Sequence, residues 1–197
     1  RASSAPPSLD TYELELAPDV DLLTYHVREQ IRFTNRTGGP LSRLPLHLYA
    51  NATGQTQEPD KGLAVRRILY AGKPASYQLH DVVLTVTLSP PLLAGKTGDL
   101  DIELDGILPR MKTGETDVFA QGIGQLAELL GGAAGAEVKK ARSDYGILAY
   151  GDGILSFGNW YPQLVPFREG AWHEAEASAI GDVAFAEMAD YRLRVVV

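Results

Sequence analysis

The sequence predicts an all-β fold, a saddle-like antiparallel β-sandwich, and three observations predict it. Apolar and polar residues alternate with period two in short runs along the chain. Gly, Pro, Asp and Asn cluster between those runs. No helical stretch recurs at regular intervals between them, which disfavours a parallel βαβ sheet. With 197 residues, 45% of them hydrophobic, the chain holds enough apolar material for one core. We therefore expect one sandwich domain over 9–197, preceded by a disordered or extended segment over 1–8.

The first strand is carried by Tyr12, Leu14 and Leu16. In the second, Leu23, Tyr25, Val27, Glu29, Ile31 and Phe33 share one face, and Thr24, His26, Arg28, Gln30 and Arg32 share the other. After the turn signal Asn35 to Pro40, Leu44, Leu46 and Leu48 alternate again, and the three runs read as an antiparallel meander. Two further strands are predicted by Val82, Leu84, Val86 and Leu88 and by Leu100, Ile102 and Leu104, joined through Pro90, Pro91 and Gly95. Between Gln121 and Ala141 the spacing of Ile123, Leu126, Leu129 and Leu130 predicts a short helix running into a glycine-rich stretch, an insertion in the sandwich. Tyr191, Leu193, Val195 and Val197 alternate last, so the chain stops within or at the end of a strand, as a truncated or cleaved protein would.

The formal net charge is −7, which offers a phosphate backbone no basic surface, so nucleic acid is not an expected partner. No apolar run approaches the roughly 20 residues of a membrane span. The chain has no cysteine, hence no disulfide framework, thiolate metal site or cysteine nucleophile. The Ser/Ala/Pro-rich opening resembles the stretch that remains once a signal or lipid anchor has been removed, and points towards an exported, periplasmic location, with the cytoplasm as the alternative. Asn35-Arg36-Thr37 and Asn51-Ala52-Thr53 fit the glycosylation pattern, which carries no weight outside a eukaryotic secretory setting.

Three motifs nearly match an active site. His173-Glu174-Ala175-Glu176-Ala177 has the first histidine of a helical zinc pair, but Ala177 offers no ligand atom where the second belongs. His26, His47 and His80 lie on strand-like runs without a carboxylate at metal-site spacing, so no metal site is expected here. Gly122-Ile123-Gly124-Gln125-Leu126-Ala127, with Asp144 about 20 residues on, matches a loose dinucleotide fingerprint. It lacks the entering strand and the full helix whose N-terminus would face a pyrophosphate. Ser156 lacks the glycine two residues before it that a nucleophile elbow requires. Glu13 with Glu15 and Asp99 with Asp101 alternate with apolar residues and read as solvated strand faces. Glu29 sits on an apolar face, where a carboxylate is costly unless paired. It either meets Arg66, Arg67 or another cation, or marks where the strand leaves the core to touch a partner domain.

The stretch Gly158-Asn159-Trp160-Tyr161-Pro162-Gln163-Leu164, followed by Gly170-Ala171-Trp172, Gly181-Asp182, Phe185 and Asp190-Tyr191-Arg192-Leu193-Arg194-Val195, resembles the end of the amino-terminal domain of aminopeptidase N-like zinc metallopeptidases. Earlier segments fall in the order of that domain: Tyr12-x-Leu14-x-Leu16, Ile31-x-Phe33-x-Asn35, Leu46-x-Leu48, and Leu88 with Pro91-Leu92 and Gly95 before Leu100-x-Ile102. The resemblance covers nearly the whole chain except the Gln121 to Ala141 insertion. It implies a saddle-shaped β domain packed on a thermolysin-like catalytic domain, whose HExxH pair and downstream Glu hold zinc. None of those motifs occurs in this chain. The resemblance further implies a parent that removes residues from peptide amino termini, while this piece, lacking the catalytic domain, would be inactive and without cofactor. Family members place a Gln or Glu of this domain in the substrate amine pocket, a neighbourhood that falls here on Gly151-Asp152-Gly153. Asp152 is a candidate substitute in the cleft wall beside Gly153, and a plain Gly-Asp-Gly turn is the other possibility. Trp160, Tyr161, Pro162 and Trp172 are candidate contacts to the catalytic domain, or simply core. The rival reading is a free-standing β-sandwich that binds carbohydrate or protein through Trp160, Tyr161 and Trp172.

Overall fold

The computed structural model describes residues 9–51, 62–80, 82–110, 148–151, 153–174 and 186–197. The opening 1–8 segment and the 121–141 insertion lie outside the described residues. The strands are β1 (Asp10–Asp19), β2 (Thr24–Thr34), β3 (Leu41–His47), β4 (Ala64–Tyr70), β5 (Lys73–Pro74), β6 (Tyr77–His80), β7 (Val83–Leu92) and β8 (Thr97–Ile107). They continue with β9 (Leu148–Gly151), β10 (Ile154–Phe157), β11 (Gln163–Leu164), β12 (Phe167–Arg168), β13 (Ala171–Trp172) and β14 (Ala189–Val195). A 3-10 turn at Tyr49–Asn51 is the helical element among the described residues, and no helix there is long and apolar enough to cross a membrane.

The strands form a sandwich, as the alternation predicts. The larger sheet has six strands in the order β14-β1-β2-β8-β4-β5 and the smaller four in the order β11-β3-β7-β6, while β9–β10 and β12–β13 form separate two-stranded sheets. The inner face of the larger sheet carries Tyr12, Leu14, Leu16, Tyr25, Val27, Ile31, Phe33, Leu100, Ile102 and Leu104, all buried. The smaller sheet supplies Leu44, Leu46, Leu84, Val86 and Leu88 to the same core.

Three expectations are corrected. The predicted meander stops after its first hairpin: β1 pairs with β2, but β3 crosses to the other sheet and pairs with β7. Both faces of β3 are buried from Leu44 to His47, so it sits deeper than an alternating half-exposed strand. Pro90 and Pro91 belong to β7 rather than to a connection, because a register shift between Leu41 and Arg43 lets β7 run on to pair Leu92 with Leu41. The sheet is also not wholly antiparallel, since β14 runs parallel to β1 with Tyr12 beside Tyr191 and Leu14 beside Leu193.

Period two puts the charges on the outer face of the larger sheet, and their sign alternates strand by strand. Arg192 and Arg194 of β14 reach Glu13 and Glu15 of β1 at 3.1 and 3.2 Å. Arg32 of β2 reaches Asp99 of β8 at 2.8 Å, and Arg67 of β4 reaches Glu103 at 2.6 Å. Such exposed pairs contribute about 0–1 kcal/mol each. They favour one register more than they add stability.

At the ends of β8, glycines lie under aromatic rings: Phe33 pairs with Gly98 and Tyr25 with Gly106. A methyl group on Gly106 would collide with the Tyr25 ring. We expect Gly106→Ala to destabilise the fold by about 1–3 kcal/mol through overpacking, read as a lower urea midpoint with an unchanged slope. A midpoint equal to the wild type would mean that the Tyr25 ring moves aside without cost.

Candidate functional site

The segment that the sequence singles out, 158–172, is attached to both sheets of the sandwich. Gln163 and Leu164 pair with His47 and Leu46, which joins the segment to the smaller sheet. The Leu164 N–H donates to the Tyr12 hydroxyl oxygen at 3.1 Å, which joins it to the larger one. Pro162 cannot donate a backbone hydrogen bond, and it is buried at the bend that allows this double attachment.

The aromatic residues form a chain through that junction. Tyr25 meets Phe157 edge-on at 5.4 Å between ring centroids, Phe157 meets Trp160 at 6.3 Å, and Trp160 meets Tyr161 at 5.0 Å. Tyr161 then lies 6.2 Å from both Tyr12 and Tyr191, and those two rings stack at 4.8 Å. Trp160 is 5% exposed, so it belongs to this chain's own core. Tyr161 is half-buried, and Tyr191 carries the cluster to the surface. Trp172 stands apart from the chain of rings, packed edge-on against Phe167 at 5.0 Å in the β12–β13 hairpin.

Glu29 lies behind the tyrosines. It neighbours Leu14 on β1 and Ile102 on β8, is 1% exposed, and neither carboxylate oxygen has a hydrogen-bond partner. Neither sequence expectation for it holds. Arg66, inside the register shift of β4, and Arg67, just after it, are exposed and pair with Asp105 and Glu103, and Glu29 remains in the core. Burial raises its carboxyl well above the usual range, so the neutral acid is favoured. Burial also raises the Tyr12, Tyr161 and Tyr191 phenols, which therefore stay protonated.

Of the predicted cleft-wall pair, Asp152 lies outside the described residues. Gly153 is exposed and takes φ +79° beside the Gly151–Ile154 pair that closes the β9–β10 hairpin, a backbone conformation that suits glycine. Ser156 sits within β10 opposite Ala149, not on a strand-to-helix turn. His173 is exposed, and Ala177 lies outside the described residues, as do Gly122, Gly124 and Asp144 of the glycine motif.

His26 does have a carboxylate, missed in the sequence because it lies across the sheet: Nδ1 is 2.8 Å from Asp105. Burial raises the Asp105 carboxyl, but hydrogen bonds from His26 and Arg66 outweigh it, and the net shift is downward. His47 is buried with Nδ1 2.8 Å from the Tyr49 hydroxyl. Asn35 is buried too; its amide donates to the carbonyls of Gly39 and Leu92, and its oxygen accepts from Thr37. That ties the turn together and leaves the amide no room for a glycan. Among the described residues no three His, Cys, Asp or Glu side chains gather where they could hold a metal ion.

Tyr12, Tyr25 and Glu29 are members of this cluster that the residue patterns do not connect to the aromatic-Pro segment, and Tyr191 is tied to it by the resemblance alone. Their signal in the sequence is weak, a polar residue on an apolar face and two tyrosines near strand starts.

No family model matches the chain, and no curated protein matches it. Among solved structures it is similar to an M1 zinc metallopeptidase from Deinococcus radiodurans, at 23% identity and a TM-score of 0.40, covering 53% of this chain and 21% of that one. It is similar at the same identity and score to a mutant of an M1 zinc metallopeptidase from that organism bound to a Tyr-Ser-Ala substrate, covering 54% of this chain and 22% of that one. A two-domain M1 zinc metallopeptidase mutant bound to L-tryptophan is similar at 22% identity and a TM-score of 0.40, covering 54% and 22%. The chain thus spans about a fifth of the length of these structures.

Proposed function

We propose that this chain is the non-catalytic amino-terminal domain of a zinc metallo-aminopeptidase, which docks on the catalytic domain and walls its substrate cleft. The carrying observation is the ordered set of β segments that ends in Gly158 to Leu164. In support of that reading, the stretch bonds to both sheets, through His47 and Leu46 on one side and Tyr12 on the other. Zinc and the HExxH pair would reside in the catalytic domain, the partner of this chain, and the substrate would be a peptide with a free amino terminus. Asp152 is the residue we assign to pair with that ammonium group.

The free-standing carbohydrate module is less favoured. A sugar-stacking platform needs exposed ring faces, and Trp160 is buried while Trp172 packs apart from it on Phe167.

The purified 197-residue chain is expected to release no chromophore from an aminoacyl p-nitroanilide and to retain no stoichiometric zinc after dialysis. Steady turnover that co-purifies with the chain would overturn the proposal. So would a stop codon directly after Val197, because the gene is expected to run on into HExxH within roughly one domain length of about 150 residues.

A further inference from the structure

We propose that the free edge of β14 admits an added strand from another polypeptide, one that alternates apolar with acidic residues. Three observations lead there. Among the described residues, β14 has a neighbour on one side only, β1, and it keeps register with β1 from Asp10–Ala189 to Leu16–Val195 without a bulge. A straight, unpaired edge of that length is a template for another strand. The opposite end of the sheet differs: β4 carries a register shift and is partly covered by the short β5, both of which blunt an edge.

The second observation is the inner face of β14. Tyr191, Leu193 and Val195 continue the rows of Tyr12, Leu14 and Leu16, yet they are 45%, 57% and 50% exposed. The six-stranded sheet has two strands more than the four-stranded one, and the inner side chains of β14 stay about half exposed, Tyr191 although Tyr161 meets it. An incoming strand with apolar residues on that face would extend the core rather than meet water.

The third is charge. Counting from β4, the outer face runs cationic, acidic, cationic, acidic, cationic: Arg66 and Arg67, then β8, β2, β1, and finally Arg192 and Arg194. The arginines of β2 have acids on both sides, Glu15 for Arg28 and Asp99 for Arg32. Those of β14 have acids on one side and solvent on the other. A strand bearing Glu or Asp at the outward positions completes the pattern. A second copy of this chain does not, because β14 against β14 sets arginines opposite arginines on the outer face, and like charges directly opposite are destabilising. Cations on an edge ordinarily discourage indiscriminate pairing; here they select the sign of the strand admitted.

The test uses two synthetic peptides, Thr-Val-Glu-Val-Glu-Val-Thr and its counterpart with lysine for glutamate, both capped at their ends, against the full chain. The acidic peptide is expected to bind, to slow amide exchange across 189–195, and to bind roughly tenfold more tightly than the lysine peptide. Arg192→Glu/Arg194→Glu should reverse that preference. Equal binding of both peptides, no binding of either, protection that falls elsewhere, or an unreversed preference in a double variant that melts like the wild type would overturn the proposal. Dimerisation of the chain through β14 in sedimentation would overturn it in favour of a second copy. The wild-type comparison decides the matter even if the double variant fails to fold.

Discussion

A Glu29→Leu variant is expected to be more stable than the wild type at pH 7, and to lose a fall in stability that the wild type shows as pH rises. The groups facing Glu29 are Leu14 from β1, Ile102 from β8, and the phenols Tyr12, Tyr161 and Tyr191 that interact with it electrostatically; burial alone shifts its carboxyl, with no cation contributing. An unpartnered buried polar group costs about 1–3 kcal/mol, which leucine of similar volume removes. The sign comes from linkage. An acid whose folded-state value is raised holds its proton in the native state after the unfolded chain has lost it. Its contribution is therefore full below the usual carboxylate range and is lost as pH climbs to the raised value, at about 1.4 kcal/mol per pH unit within that window.

Other groups titrate with the opposite sign. Burial lowers the His47 imidazole, opposed in part by the backbone of Glu174, and its effect on stability rises with pH. The difference between wild type and variant isolates Glu29. Urea unfolding of both at pH 5, 6, 7 and 8 measures it. A parallel pair of curves, with the variant the less stable, would show that the carboxylate is ionised and partnered.

Trp160→Ala is expected to cost about 3–5 kcal/mol, the second large effect, because it empties the centre of the aromatic chain rather than trimming a surface. Trp160→Phe, which keeps a ring there, should cost much less. Trp172→Ala removes a half-buried ring that meets Phe167 edge-on and packs against the margin of the core, and should cost less than Trp160→Ala, about 1–2 kcal/mol. Thermal unfolding of the three variants separates core from contact surface. If Trp160→Ala melts like the wild type while Trp172→Ala does not, the two tryptophans have exchanged the roles assigned to them.

Much of the fold is legible in the residues themselves, but unevenly. The alternation in β2 named every buried side chain of that strand, Glu29 included, because one face of it meets the core along its whole length. The same logic named the buried Leu44 and Leu46 of β3 but missed Pro45 and His47, which are buried between and beside them on the other face. The aromatic-Pro segment stood out by composition, but composition does not say that Trp160 turns inward while Tyr191, about 30 residues later, reaches the same cluster from the far edge of a sheet.

Residue patterns suffice to make the fold all-β, to say which residues of most strands face inward, and to deny His173 a second imidazole at Ala177 for a helical zinc pair. These rest on local rules: the pleat repeats every two residues, and a ligand pair on a helix needs fixed spacing. Which strands are neighbours is set by the assembled fold. It brought Asp105 to His26, set β14 parallel to β1, and left Glu29 without a cation although two arginines lie on the next strand but one. Pairing joins segments as many as 179 residues apart, and its choice depends on the summed fit of whole faces and edges rather than on any signal within one strand.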